Sequence, residues 1–364
     1  MRDFLVLGVE SSCDDTAAAV VLSRRDGTKA ILSNVTLAQY DRHAAFGGVV
    51  PEIAARAHVE RIDGIIAHAI ETSGHTYEDL DAIAATAGPG LIGGVMVGLT
   101  AAKAVALAHS KPLVPVNHLE GHALSARMTE DAAFPYLLLL ISGGHTQLIE
   151  VSGVGAYRRL GTTIDDAAGE AFDKSAKLLG LGQPGGPTIE AAAKEGRADR
   201  FAFPKPLARR EGCDFSLSGM KTALRLEAEA ISSPTARDVA DLAASFQAAI
   251  AAHLADRTVR AMELVETTGA ARTLVVAGGV AANGAIRSKL EALTRDRGWR
   301  LVVPPAKYCT DNGAMIAWAG IERLRVGLAP SFEEALAFAP RARWPLAEPL
   351  AGREHGGGKK GPKA

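Results

Sequence analysis

The chain has 364 residues, of which 48% are apolar and 22% charged, and its formal net charge is −1. This length favours about two domains, and the composition is that of a globular protein with a large core. Cys13, Cys213 and Cys309 lie far apart in the sequence, which argues against a disulfide framework and favours a cytoplasmic location. The nearly neutral charge excludes a molecule that is basic throughout, so any nucleic-acid binding must come from a local patch.

The first part of the chain predicts three successive strands, followed by alternating helices and strands. The predicted strands are 4–9, 17–22, 29–37, 82–87 and 113–117, and the predicted helices are 53–70 and 91–109. Residues 82–102 carry no charge and are long enough to span a bilayer. Their glycines and Pro89 instead favour a strand, a tight turn and a buried helix. No secretory signal is recognised at the amino terminus.

The same pattern begins again at Tyr136. Strands are predicted at 136–141, 146–151, 273–277 and 301–304, and a glycine turn follows the first and third of them. The sequence therefore predicts an α/β fold with two duplicated βββαβα lobes and a ligand cleft between the lobes. The expected lobes are 1–112 with 325–346 packing back on it, and 113–324 with an inserted segment at 180–235. Residues 347–364 are expected to form a flexible basic tail.

The sequence His118-Leu119-Glu120-Gly121-His122 follows a predicted strand. Four residues along a helix place two imidazoles about 40° apart on one face, which suits a divalent metal. Two structural histidines are the alternative. Asp311 precedes the last long helix and is expected either to cap it or to supply a third ligand from the opposite lobe. Glu120 lies two residues after the first histidine, about 200° round the helix, which disfavours a zinc protease.

Three glycine-containing turns are candidates for binding a nucleotide through backbone N–H groups. They are Ser142-Gly143-Gly144-His145-Thr146, Pro184-Gly185-Gly186-Pro187 and Gly278-Gly279-Val280-Ala281-Ala282-Asn283. Each is also compatible with a plain turn. In the acidic segment 165–174, Asp166 is expected to cap a helix, with Glu170 and Asp173 exposed. The alternative is that Asp173 binds a substrate hydroxyl or amine.

Seven motifs occur in one order and resemble those of the tRNA N6-adenosine threonylcarbamoyltransferase family, called TsaD in bacteria and Kae1 in archaea and eukaryotes. They are Gly8–Thr16, Asn117–His122, Ser142–Thr146, Asp165–Lys174, Pro184–Pro187, Gly278–Asn283 and Cys309–Ala314. The resemblance extends from Phe4 to Leu346 and includes Pro340-Arg341-Ala342-Arg343-Trp344-Pro345. It implies the actin-like ATPase (ASKHA) fold. Older descriptions of this family as a glycoprotein endopeptidase do not fit the position of Glu120.

The resemblance also implies a site. His118, His122 and Asp311 would bind one divalent metal per subunit, taken as Fe²⁺, with Zn²⁺ and Mg²⁺ as alternatives. The implied substrate contacts are Ile141, Ser142, Gly143, Gly144, His145, Asp173, Gly186, Glu190 and Asn283. Some relatives carry Asp at the position of Glu190. The group that removes the proton from the attacking amine is left open.

The implied reaction transfers threonylcarbamoyl from threonylcarbamoyl-AMP to N6 of adenosine 37 in tRNAs that read ANN codons, and releases AMP. The implied partners are the tRNA, a related ASKHA-fold subunit (TsaB-like) and a P-loop ATPase (TsaE-like). An actin-like sugar kinase or ATPase is the main alternative, although Glu10 stands where such kinases usually carry Asp. A non-catalytic scaffold of a tRNA-modifying complex is the second alternative.

A basic stretch between 194 and 225 is the candidate tRNA surface, with Phe201, Phe203 and Phe215 between its charges. Its cations are Lys194, Arg197, Arg200, Lys205, Arg209, Arg210, Lys221 and Arg225. The alternative is a solvated surface over buried phenylalanines.

Overall fold

The computed structural model describes residues 2–43, 46, 48–267 and 272–347, and the chain forms two compact units. The first unit comprises residues up to Asp131 together with Thr310–Leu346, and the second comprises Ala132–Cys309. These boundaries differ from the predicted breaks after residues 112 and 324. The tail predicted for 347–364 lies outside the described residues apart from Ala347.

The first unit is a five-stranded sheet with helices on it. Its elements are β1 Phe4–Glu10, β2 Asp15–Ser23, β3 Lys29–Ala38, α1 Tyr40–His43, α2 Pro51–Ser73, β4 Ala82–Gly88, α3 Ile92–Ala108, β5 Leu113–Asn117 and α4 His118–Thr129. Two later helices, α11 Gly313–Arg325 and α12 Phe332–Ala337, return to it. The strand order is β3-β2-β1-β4-β5; β1, β4 and β5 are parallel, whereas β2 is antiparallel to both of its neighbours.

Alternation along β1 separates the core from the functional face. Leu5, Leu7 and Val9 pack in one buried cluster with residues of α2 and α3. The intervening residues Gly8 and Glu10 lie on the other face, because successive side chains of a strand point to opposite sides. A Cβ at Gly8 would lie 2.2 Å from the carbonyl oxygen of Gly313, so glycine allows α11 to pack directly on the sheet.

The second unit repeats this arrangement. Its elements are β6 Tyr136–Ile141, β7 Thr146–Gly153, β8 Ala156–Thr162, α5 Ala168–Leu178, α6 Gly185–Ala193, α7 Ser218–Glu229, α8 Ala236–Glu266, β9 Thr273–Ala277, α9 Gly284–Arg297, β10 Arg300–Val302 and α10 Ala306–Cys309. The strand order β10-β9-β6-β7-β8 corresponds to that of the first sheet, read in reverse. The pattern of parallel and antiparallel pairs is also the same. The predicted α/β fold and its duplication are therefore confirmed.

Several elements of the second unit were not predicted from the sequence, among them strand β8, the short helix α10 and the long helix α8. The buried residues of α8 include Asp241, His253 and Arg257 as well as small and apolar side chains. A helix buried on several faces, with polar groups among the buried ones, shows no simple apolar stripe. In the first unit, residues 82–102 form β4, a turn and the start of α3, as predicted. Among the described helices, none combines the length and hydropathy needed to cross a bilayer.

Candidate metal centre and glycine-lined turns

The metal-ligand candidates of the first unit are placed by the carboxyl ends of parallel strands. Glu10 ends β1 and Asn117 ends β5, on either side of β4, so both lie at the same edge of the sheet. The Asn117 side chain accepts a hydrogen bond from the backbone N–H of Leu119 at 2.9 Å and caps α4. Because α4 begins at His118, the two histidines lie one turn apart at its amino-terminal end.

His118, His122 and Asp311 converge. The distance from Asp311 Oδ1 is 3.0 Å to His122 Nε2 and 3.5 Å to His118 Nε2, and the ring centroids of the two histidines are 4.8 Å apart. One potential ligand atom from each residue lies within 4.8 Å of the others. Both histidines are buried, whereas the Asp311 side chain is 23% exposed. This group can hold a metal ion, with the exposed carboxylate leaving a route for substrate or water.

Glu10 orients His118. Its Oε2 lies 2.9 Å from His118 Nδ1 and also accepts a hydrogen bond from the Thr86 hydroxyl at 2.6 Å. Ser12 Oγ lies 3.1 Å from the same ring nitrogen. With Nδ1 occupied by these partners, Nε2 faces Asp311, which is the carboxylate–histidine–metal arrangement typical of metal sites. This role of Glu10 was not predicted; its position at the end of a buried parallel strand was the available signal.

The electrostatics of the cluster favour a cation. Burial alone would lower the pKa of His118, but the carboxylates of Asp311 and Glu10 outweigh it and raise this pKa to about 9. Burial and the negative charges of Asp311, Asp14 and Glu10 raise the pKa of Asp15 to about 7. Two imidazoles and a carboxylate in this negative surrounding fit a divalent metal of the iron or zinc type.

Two expectations about Asp311 are corrected. It belongs to the same compact unit as the histidines, not to the opposite lobe, because Thr310–Leu346 returns to the first sheet. It is also not the cap of α11, since Asn312 accepts the capping hydrogen bond from the N–H of Met315 at 3.0 Å. The Asp311 carboxylate is thereby directed to the histidines.

Glu120 forms a buried ion pair with Arg323, with 2.9 Å between Oε2 and Nη1. Its engagement with Arg323 agrees with the prediction that it points away from the metal ligands. A protease base at this position is therefore disfavoured.

The first glycine turn of the second unit closes on itself. Ser142 N donates to His145 O at 2.8 Å, and Ser142 Oγ accepts from His145 N at 3.1 Å. A Cβ at Gly143 or Gly144 would meet no atom within 4 Å, so the backbone is open on that side. Ile141, which precedes the turn, is fully buried. This geometry leaves backbone groups accessible for a ligand.

Other glycines of the second unit allow close approach between neighbouring segments of backbone. A Cβ at Gly169 would lie 2.7 Å from Gly143 Cα, and one at Gly278 would lie 2.4 Å from Ile141 O. A Cβ at Gly185 would lie 2.5 Å from Asp173 Cα, whereas one at Gly186 would meet nothing. Residues 142–146 and the start of 278–283 are therefore neighbours through backbone packing, whereas Gly185 packs on α5. The turn predicted at Pro184–Pro187 is wrong, since α6 begins at Gly185.

The polar side chains predicted to bind substrate hold this arrangement together. Asp173 Oδ1 accepts the N–H of Gly185 at 2.8 Å, and Glu190 Oε1 accepts the N–H of Gly284 at 3.0 Å. Asn283 caps α9 through the N–H of Ile286, and its Nδ2 donates to Gln247. Asp173, Glu190 and Asn283 thus have structural contacts, and their role in binding substrate remains a prediction.

The acidic segment before α5 differs from its prediction. Ala167, not Asp166, occupies the position before α5, and Asp166 instead pairs with Lys174 at 3.1 Å and Lys221 at 3.0 Å. Glu170 also pairs with Lys174. Asp165 accepts hydrogen bonds from the residues that start α7, which are Ser216, Leu217 and Ser218.

The phenylalanines of the basic stretch pack on the core. Phe215 is fully buried, and Phe201 and Phe203 are partly buried against the same cluster. Phe203 makes an edge contact with Phe246. Phe215 is therefore unavailable to stack a base, and the packing of all three rings favours the alternative of a solvated surface over buried phenylalanines.

Comparisons with known proteins identify the family to which the chain belongs. The family model of TsaD, tRNA N6-adenosine threonylcarbamoyltransferase, matches residues 30–318. A tRNA N6-adenosine threonylcarbamoyltransferase of Chelativorans sp. (strain BNC1) is 60% identical over 362 residues, covering 99% of each chain. The protein of that name from Methylocapsa acidiphila is 58% identical over 96% of this chain and 99% of its own.

Among solved structures, HypF from T. kodakarensis has a TM-score of 0.61 at 17% identity, covering 92% of this chain and 50% of its own. A full-length HypF in a phosphate- and nucleotide-bound form has a TM-score of 0.56 at 12% identity, covering 91% and 56%. Fold and site together define a protein of the actin-like ATPase fold with a possible metal centre. The chain belongs to the tRNA N6-adenosine threonylcarbamoyltransferase family, and it is therefore an acyl-group transferase.

Proposed function

We propose that the protein transfers the threonylcarbamoyl group from threonylcarbamoyl-AMP to N6 of adenosine 37 in tRNAs that read ANN codons, with release of AMP. The observation that carries this proposal is the convergence of His118, His122 and Asp311, backed by Glu10, in a chain of this family. The relatives named above carry the tRNA N6-adenosine threonylcarbamoyltransferase name over nearly their whole length.

His118, His122 and Asp311 would hold the metal, for which Fe²⁺ is proposed. When bound, such an ion supplies a Lewis acid that can polarise a carbonyl oxygen. Glu10 keeps the His118 ring in the orientation that directs Nε2 toward Asp311. The partly exposed Asp311 carboxylate also makes the ligand set reachable from solvent.

The turns of the second unit are proposed to bind the adenylate. The open backbone at Gly143, Gly144 and Gly186 allows a phosphate or ribose to approach without meeting a side chain. Asp173 and Glu190 fix the starts of α6 and α9 through backbone N–H groups. Rigid turns of this kind supply preorganised donors to a leaving phosphate, and positioning of the amine and acyl donor can contribute several kcal/mol.

The sugar-kinase alternative is disfavoured by the contacts of Glu10. One carboxylate oxygen accepts the N–H of Ser12, and the other contacts Thr86 and His118. The carboxylate at the first turn is therefore engaged within the protein.

Nucleoside analysis tests the proposal. The protein is incubated with threonylcarbamoyl-AMP and an ANN-reading tRNA, with a TsaB-like ASKHA subunit and a TsaE-like ATPase present. We expect modified adenosine with the wild type and at least about a 100-fold lower rate with His118→Ala, since the metal ligand and its acceleration are lost. His68→Ala, which removes an exposed histidine of α2, serves as the control.

Full activity of His118→Ala would instead favour the scaffold alternative. Phosphorylation of a sugar by ATP without tRNA would favour the kinase alternative.

A further inference from the structure

An exposed loop of the second unit, residues 204–212, concentrates positive charge. Lys205, Arg209 and Arg210 are exposed, and within the described parts of the chain their side chains form no ion pair. In contrast, Arg200 on the same basic stretch pairs with Asp238 and Asp241. The loop also contains the exposed Glu211, so three cations and one carboxylate leave a net positive charge on it.

Two arginines of α8 hold the loop from beneath. The Arg257 side chain is only 1% exposed, and its guanidinium donates to three backbone carbonyl groups at 2.8–3.2 Å. Arg260 donates to two carbonyl groups at 3.1 Å. The accepting oxygens belong to Leu207, Ala208, Arg210 and Gly212. Asp256 pairs with both arginines. Because one carboxylate balances two guanidinium groups, the pair adds net positive charge next to the loop.

The same contacts orient the peptide N–H groups of the loop. Its peptide bonds are trans, so each N–H points away from the carbonyl of the preceding residue. With those carbonyls turned toward Arg257 and Arg260, the N–H groups of Ala208, Arg209 and Glu211 face away from the guanidinium groups. None of the three donates a hydrogen bond to a described residue. In nucleic-acid complexes, phosphate oxygens commonly accept hydrogen bonds from exposed backbone N–H groups and from cationic side chains.

We propose that residues 204–212, called the basic loop, dock the phosphate backbone of the tRNA, an inference that rests on the proposed function. The described large apolar side chains that are exposed lie elsewhere, which disfavours a protein partner, whose interface core is usually aromatic or aliphatic. Because Phe201 and Phe203 pack on the core, the basic loop contacts phosphates rather than bases. Its contribution is therefore electrostatic and independent of the tRNA sequence.

The test compares two pairs of consecutive arginines, one in each unit. Arg209→Ala/Arg210→Ala removes two charges from the basic loop, whereas Arg24→Ala/Arg25→Ala removes two exposed charges from the β2–β3 turn of the first unit. Binding of an ANN-reading tRNA transcript to the full chain is titrated over a range of KCl concentrations. For the basic-loop variant we expect Kd to rise about tenfold and the slope of log Kd against log salt to fall by about 1.5.

The control variant should keep the wild-type slope, and unchanged melting temperatures should show that both variants are folded. In transfer assays the basic-loop variant should raise the KM for tRNA without changing kcat at saturating tRNA. Equal Kd values and slopes for the two variants, or a loss of kcat with unchanged Kd, would overturn the inference. The binding arm contains no donor, so a wild-type protein that binds tRNA but transfers nothing would overturn the proposed function alone.

Discussion

The metal-ligand cluster of the first unit and the glycine turns of the second both follow the ends of parallel strands, in two sheets of the same strand order. After β1 and β5 the first unit presents carboxylate and imidazole side chains. After β6 and β9 the second unit presents backbone, with glycines that pack against one another. Truncating a ligand side chain therefore disrupts the site of the first unit. In the second unit, adding a Cβ to a closely packed glycine disrupts the site.

The largest expected effect on the free energy of unfolding comes from adding one methyl group at Gly278. Gly278 has φ of 93°, and its Cβ would lie 2.4 Å from Ile141 O. We expect Gly278→Ala to lower the free energy of unfolding by about 3 kcal/mol, because it combines backbone strain with overpacking. Urea denaturation measures this change.

Gly143→Ala is the matched control, since its Cβ would meet no atom within 4 Å. Its stability should lie within about 0.5 kcal/mol of the wild type. Equal losses at the two positions would contradict the account of backbone packing in the second unit.

The next prediction compares substitutions of Glu10 and Glu120, two buried glutamates of the first unit. Glu10→Gln weakens the carboxylate contact that orients His118, so metal affinity should fall about 10- to 100-fold. Glu120→Gln breaks the ion pair with Arg323, so it should lower stability by about 1–3 kcal/mol and leave metal affinity unchanged. Competition with a chromogenic chelator measures both affinities. Equal loss of metal affinity in the two variants would mean that Glu10 has no special role.

The smallest effect concerns a histidine without a metal role. Burial and the nearby Arg257 lower the pKa of His253 to about 4, and its Nε2 accepts the N–H of Ser216 at 3.2 Å. The unfolded chain takes up this proton below about pH 6.5, whereas the folded chain resists it until about pH 4. Stability from this group is therefore complete above about pH 6.5 and is lost as pH falls toward 4.

We expect His253→Gln to remove about 1.5 kcal/mol of the acid destabilisation between these pH values, roughly half the ideal value for such a shift. Urea titrations at several pH values measure it. His68→Gln, at an exposed position of α2, should retain the wild-type slope. If the free energy of unfolding of His253→Gln also depended on pH as in the wild type, this ring would not control the loss of stability at low pH.

The sequence was most informative where the residue type determines the chemistry. The strands 113–117, 136–141 and 273–277 were predicted to the residue, because buried β-branched or leucine runs end at Asn, Ser-Gly-Gly and Gly-Gly. The HxxxH pair was placed on one helix face, as observed. Once the segment is helical, a spacing of four residues places both imidazoles on the same face.

The sequence was less informative where long-range packing decides. Asp311 and Asn312 are adjacent possible caps, and only the path of residues 310–346 back to the first sheet directs Asp311 to the histidines. Likewise, Asp173 and Glu190 look like ligand residues in sequence, yet each accepts a backbone N–H from a distant turn. Contacts of this kind leave no signal in local periodicity.

The central claim is that His118, His122 and Asp311 hold one divalent ion. The chain is loaded anaerobically with Fe²⁺, desalted and analysed by elemental mass spectrometry. Asp311→Ala and Asn312→Ala are analysed beside it; the second variant removes the helix cap and the hydrogen bond to Thr310 O but no metal ligand. The account predicts about one ion per chain in the wild type and in Asn312→Ala, and close to none in Asp311→Ala, because the charged ligand is lost. A full complement of iron in Asp311→Ala would contradict it.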